Sequence, residues 1–159
     1  MLSQAGGGPA SGRSVVLRPP SLYASAILSG FLLDAAWPWP FTLFAARPAG
    51  GALAIAGLVL FAAAIREMRA ARTPVPGNRP TTVIVRTGPF RFSRNPIYLA
   101  FSLLHFGVAL WAGSWWLITT LIVNVTFIAV MVVPREERYL EARFGSTYVG
   151  YKSSVRRWL

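Results

Sequence analysis

A chain of 159 residues has room for one domain or one small bundle. With 54% hydrophobic and 13% charged residues it cannot cover itself in polar groups, so its excess of 16 Lys+Arg over 5 Asp+Glu points to a membrane surface and away from nucleic acid. The lack of cysteine excludes disulfides, thiolate nucleophiles and Cys-ligated metals; a single histidine excludes a multi-His site, and no metal is expected.

Residues 1–20 (MLSQAGGGPASGRSVVLRPP) have the Gly, Pro and Ser content of a flexible tail, and their order is not that of a secretory signal. The remainder, 21–159, reads as a single membrane domain. A first apolar run, about 22–37, follows Ser21 as a possible N-cap, carries Asp34 near its end and closes in Trp37, Pro38, Trp39, Pro40 and Phe41, an interfacial aromatic belt. A second run, about 49–65, passes into Arg66, Glu67, Arg69 and Arg72, where the chain leaves lipid. TPVPGNRP, from Thr73 to Pro80, forbids a helix, and Thr82–Val85 is β-prone ahead of a Gly88-Pro89 turn.

The third run, about 96–111, starts at Pro96 with Asn95 placed as N-cap. A tight Ala112-Gly113-Ser114 turn joins it to the fourth, about 115–133, so that the two form a helical hairpin, and Pro134 marks the exit. The tail, 134–159, is charged and aromatic, with helical amphipathic spacing up to Phe144. Fifteen of the 16 basic residues then fall on one side, with Arg47 alone on the other. The positive-inside rule places both termini and the central loop in the cytoplasm. The expected fold is therefore an all-α membrane protein of the cytoplasmic (inner) membrane: four transmembrane helices, multi-pass, with a C-terminal hairpin and a cytoplasmic pocket.

That topology brings Arg94, Asn95 and Tyr98, at the start of the third span, near Arg135, Glu136 and Glu137, at the end of the fourth. Free N–H groups at a helix start favour an anion and paired carboxylates favour a cation, so a ligand carrying both signs suits the site. Taken alone, Glu136, Glu137 and Glu141 among Arg135, Arg138 and Arg143 also read as a solvated helix face.

The stretch TGPFRFSRNPIYLAF, followed about forty residues later by EERYLEARFGSTYVGYKSSVRRWL, resembles the C-terminal half shared by the isoprenylcysteine carboxyl methyltransferase and phospholipid methyltransferase family. Its pattern runs Gly-Pro-Tyr, Arg-His-Pro-x-Tyr, a hydrophobic hairpin, Glu-Glu and Phe-Gly-x-x-Tyr, and the likeness covers Thr81 to Leu159. The resemblance implies an integral-membrane enzyme that binds S-adenosyl-L-methionine and methylates a lipid-like substrate, prenylated or of phospholipid type, arriving from the bilayer. Carried over residue by residue, it assigns cofactor contacts to Thr82, Val83, Ile84, Val85, Phe90, Asn95, Pro96, Ile97, Tyr98 and Glu136, with Glu137 beside them.

Three positions depart from the pattern. Phe90 replaces a tyrosine, Asn95 replaces the histidine, and Val132 stands where the isoprenylcysteine branch would have an arginine to hold the substrate carboxylate, a part for which Arg135 is a substitute. Asn95, Tyr98, Ser102 and His105 form one stripe of the third span. It reads either as interhelical hydrogen bonding, with Thr120 or Asn124 as partners, or as the lining of a path from cofactor to lipid, with His105 as general base for an amine or thiol acceptor. Two rival readings are a membrane reductase using a nicotinamide cofactor and a non-enzymatic protein docking on anionic membrane lipids.

Overall fold

The computed structural model describes residues 19–42, 46–74 and 80–159. Most of the expected N-terminal tail, with Arg13 and Arg18, and the proline-rich residues 75–79 lie outside the described residues. Among the described residues there are six α-helices, α1 (Pro19–Ala36), α2 (Ala46–Ala70), α3 (Pro96–Ala112), α4 (Trp115–Phe127), α5 (Val133–Phe144) and α6 (Ser146–Ser154), with a 3₁₀ turn at Gly88–Arg91 and a π-helical turn at Ile128–Val132. No strand occurs among the described residues. The β-prone Thr82–Val85 stays irregular because its polar groups bond locally: the Thr82 N–H donates to Thr73 Oγ1 (3.1 Å) and the Thr82 hydroxyl to the Arg72 carbonyl (3.3 Å).

Helix α1 begins two residues before the expected cap, at Pro19 and Pro20, which the donor-free first turn tolerates; Ser21 is therefore inside it. Helix α2 runs beyond the expected span at both ends, keeping Arg66, Glu67 and Arg69 helical, and ends at Ala70. There Arg72 adopts a left-handed φ of 50°, with the Thr73 N–H on the Met68 carbonyl and the Arg72 N–H on Arg69, the paired bonds of a Schellman ending.

Helix α2 packs on α3, and α1 on α4 and α3. The α2–α3 contact depends on small residues: a Cβ at Gly107 would come within 2.5 Å of Ala54 N, and one at Gly57 within 2.7 Å of the Ala100 carbonyl. In the hairpin, Gly113 takes a left-handed φ of 67° as the α3 cap, and Ser114 caps α4 by accepting the Leu117 N–H. Asp34 finds a partner here, accepting the Ser114 hydroxyl at 2.7 Å.

Pro134 does not end the fourth run. A proline cannot donate to the carbonyl four residues back and crowds it. The chain widens instead to the π turn, where the Val133 N–H reaches the Ile128 carbonyl, and the helix continues as α5. The rod Trp115–Phe144 and helix α2 are each long and apolar enough to cross a membrane, and α3 is a shorter apolar helix. The supposed tail is thus mostly helical: α5 continues the rod to the level of the start of α3, where Glu136 meets Tyr98, and α6 follows after Gly145.

Candidate functional site

The site forms at the end of the bundle where α3 begins. Gly88, with φ 55°, makes the 3₁₀ turn possible: a Cβ there would lie 2.6 Å from Glu67 Cγ, and Glu67 itself accepts the Thr87 hydroxyl. Beyond the turn, Ser93 Oγ accepts the Asn95 N–H (3.1 Å) and Pro96 opens α3. Asn95 occupies the N-cap position without a capping side-chain bond. Its amide donates instead to the Arg157 carbonyl at 2.9 Å, because the end of the chain has been drawn against it.

A cleft of about 690 Å³, measured to its open mouth, lies between this turn, the 81–85 segment, α5 and α6. Val83, Ile84, Val85 and Phe90 line one wall; Asn95, Pro96, Ile97 and Tyr98 line the second; Glu136 and Glu137 reach in from α5. Ten of the expected cofactor contacts are thus brought together. Thr82 is not among them, being exposed and bonded to Arg72 and Thr73. Sequence reasoning missed Met68, Thr73, Thr81, Leu140 and Tyr151, and placed Tyr148 only as the last letter of a motif.

The two adjacent carboxylates differ. Glu136 accepts the Tyr98 hydroxyl at 3.0 Å across the cleft. Glu137 is buried, with Arg94 Nη1 3.0 Å from Oε1 and Arg157 gripping both oxygens, Nε to Oε1 at 3.1 Å and Nη2 to Oε2 at 2.7 Å. That grip holds the Arg157 guanidinium above its ordinary pKa. Arg94, with a side chain 9% exposed, is ion-paired with Glu137 through Nη1, and its Nε has no acceptor. The other buried side-chain nitrogens without a partner among the described residues are those of His105 and Asn124, whereas Arg94 lines a cleft. Tyr151 donates to the Phe90 carbonyl at 2.7 Å; burial, then neighbouring Tyr148, push its phenol up to about 12.

His105 and Arg135 do not join the cleft. His105 is wholly buried two turns further along α3, edge-on to Tyr23 (ring centroids 6.5 Å) and beside the Leu117 backbone. Arg135 is exposed on α5. The stripe's partner is Tyr23 of α1 and neither Thr120 nor Asn124: the Tyr23 hydroxyl shares a 2.7 Å hydrogen bond with Ser102, while Thr120 bonds back to the Leu117 carbonyl. A tyrosine 79 residues away in an apolar run gave no local signal of this.

No solved structure matches the chain. An uncharacterized protein of Haemophilus influenzae is 38% identical over 63 residues, 40% of this chain and the whole of that protein. The profile of the phospholipid methyltransferase family matches residues 46–147, from the start of α2 into α6 and across the turn, helix start and carboxylate pair that build the cleft. Matched over well over half its length, the chain belongs to the phospholipid methyltransferase family.

Proposed function

We propose that this chain is an S-adenosyl-L-methionine-dependent methyltransferase that takes its cofactor in the cleft and methylates an amphiphile, prenylated or of phospholipid type, from the surrounding bilayer. In this reading α1, α2, α3 and the α4–α5 rod each cross the membrane, with the basic end and both termini in the cytoplasm. The skew of fifteen basic residues to one supports that orientation.

The observation that carries the reading is Arg94. A nearly buried guanidinium that pairs with Glu137 through Nη1 and still has a free Nε donor is a receptor for a further carboxylate, and Glu136 in the same cleft is a receptor for an ammonium. The amino-acid end of the cofactor bears both groups. The apolar wall of Met68, Val85 and Ile97, with the Phe90 ring, suits its less polar remainder. Arg94 and Glu136 would hold the amino-acid end, and Tyr98 would orient Glu136 through its hydroxyl.

When bound, the cofactor supplies an electrophilic methyl group, so the protein has mainly to align the acceptor and exclude water. A carboxylate acceptor needs no base, and an amine or thiol can lose its proton to solvent at the cleft mouth. His105, enclosed by α1, α3 and α4, is assigned to packing.

Calorimetric titration of the detergent-solubilised protein with S-adenosylhomocysteine and with NADPH tests this reading. Binding of the first alone is expected, followed by transfer of labelled methyl from the cofactor into a lipid extract. Binding of NADPH, or of neither, would overturn it.

A further inference from the structure

Glu137 occupies the cleft without being free to serve a ligand. Both its oxygens are taken by Arg157 and one also by Arg94, so a cofactor ammonium would have to compete with two guanidinium groups already in contact. Arg157 belongs to Val155–Leu159, which follows α6 without regular structure. This segment lies against the start of α3. The Arg156 carbonyl accepts the Arg94 N–H at 2.9 Å; the Arg157 carbonyl accepts the Asn95 amide at 2.9 Å and the Ser93 hydroxyl at 3.3 Å. Trp158 packs on the buried cluster of Tyr23, Tyr98, Ile128, Val132 and Val133.

Arg94 is therefore held through its backbone by Arg156 and through its side chain by Glu137, itself fixed by Arg157. The three charged groups carry two positive charges against one negative. A ligand carboxylate at the Arg94 Nε would balance them.

We propose that Val155–Leu159 is a strap across the foot of the site, that Glu137 and Arg157 are positioning residues that aim Arg94, and that strap docking and cofactor binding are thermodynamically coupled. The coupling rests on the cofactor reading of the cleft. An undocked strap leaves Glu137 with one partner in place of two and strips the acceptors from Ser93, Asn95 and the Arg94 amide. Arg94 then loses the support that fixes it for a carboxylate. Coupling of this kind is reciprocal: if the docked strap strengthens cofactor binding by some factor, bound cofactor stabilises the docked strap by the same factor.

Two measurements on the full chain in detergent test the proposal, with Arg157→Gln removing the grip and Arg157→Lys keeping its charge but not its fork. Arg157 is 40% exposed, so the glutamine variant leaves no buried cavity. Calorimetry should show S-adenosylhomocysteine binding Arg157→Gln about tenfold more weakly, within the usual span of coupling of roughly 5- to 150-fold, with Arg157→Lys recovering part of the loss. Turnover should show this as a raised KM for the cofactor at nearly unchanged kcat. Hydrogen exchange at the Arg94 amide, whose acceptor is the strap, should slow about tenfold in the wild type on saturation with S-adenosylhomocysteine, and less in Arg157→Gln.

Equal affinities of wild type and a folded Arg157→Gln, or an Arg94 exchange rate indifferent to the ligand, would overturn the coupling while leaving the cofactor reading intact. A wild type that binds no S-adenosylhomocysteine overturns the cofactor reading and the coupling with it.

Discussion

The two ends of the bundle use polar groups in opposite ways. At the hairpin end, the Phe41 N–H bonds the Gly113 carbonyl (2.8 Å), the Trp115 N–H bonds Trp39 (3.0 Å), the Trp116 indole donates to the Trp37 carbonyl (2.7 Å) and Ser114 donates to Asp34. Trp39, Phe41, Trp115 and Trp116 pack ring against ring around these bonds. At the other end the nearly buried Arg94 guanidinium, ion-paired with Glu137, has an Nε without an acceptor beside an open cleft. The hairpin end thus pairs its polar groups with one another where helices and loop have only to be held together. At the opposite end the Arg94 Nε is the donor that the proposed ligand carboxylate would meet.

The comparison is broken most severely by removing charge from the open end. Glu136→Gln keeps the size and the Tyr98 contact but loses a charge-assisted interaction of about 1.5–3 kcal/mol. S-adenosylhomocysteine affinity should fall by about 10- to 100-fold in a calorimetric titration, at an unchanged melting temperature. An equal loss of melting temperature would instead make Glu136 part of the scaffold, like the groups at the hairpin end.

The converse experiment is made at the closed end. Ser114→Ala removes both the α4 cap and the Asp34 contact, and should cost about 1–2 kcal/mol of stability. Ligand affinity measured below the transition should not move. A changed affinity would mean that the two ends communicate along α3 and α4.

The smallest effect sharpens the description of α6. Because the folded Tyr151 phenol sits near 12, above its ordinary 10, its contribution to stability is fully present below pH 10 and lost as pH rises from 10 toward 12. A thermal-melt series across that window should show the decline, and Tyr151→Phe, with nothing to ionise, should lack this part of it.

Much of the arrangement was legible because its signals are local. Apolar runs punctuated by Pro and Gly marked the long helices, and the tight turn expected at Ala112-Gly113-Ser114 is there, with Gly113 left-handed. The motif residues from Val83 to Tyr98 and the glutamate pair converge on the cleft because each sits at a helix end or turn that its own neighbours determine. What could not be read depends on distant chain. The Asn95 side chain abandons its cap for a carbonyl 62 residues on, and Glu137 changes from a candidate ligand contact to a shared anchor only because Arg157 arrives from beyond α6. Pro134, a stop by local rules, is absorbed by the wider turn before it.

That wider turn also decides which way the carboxylates point. A π turn carries one residue more than an α turn of similar span, and successive α-helical residues are about 100° apart around the axis. If Ile128–Val132 tightened to an ordinary α turn with every residue kept, α5 would rotate by roughly that angle relative to α4. Glu136 would swing off Tyr98, and Glu137 would lose its place between Arg94 and Arg157. The extra residue acts as a rotary spacer: it lets one continuous rod turn its apolar half to the bundle and its acidic pair to the cleft.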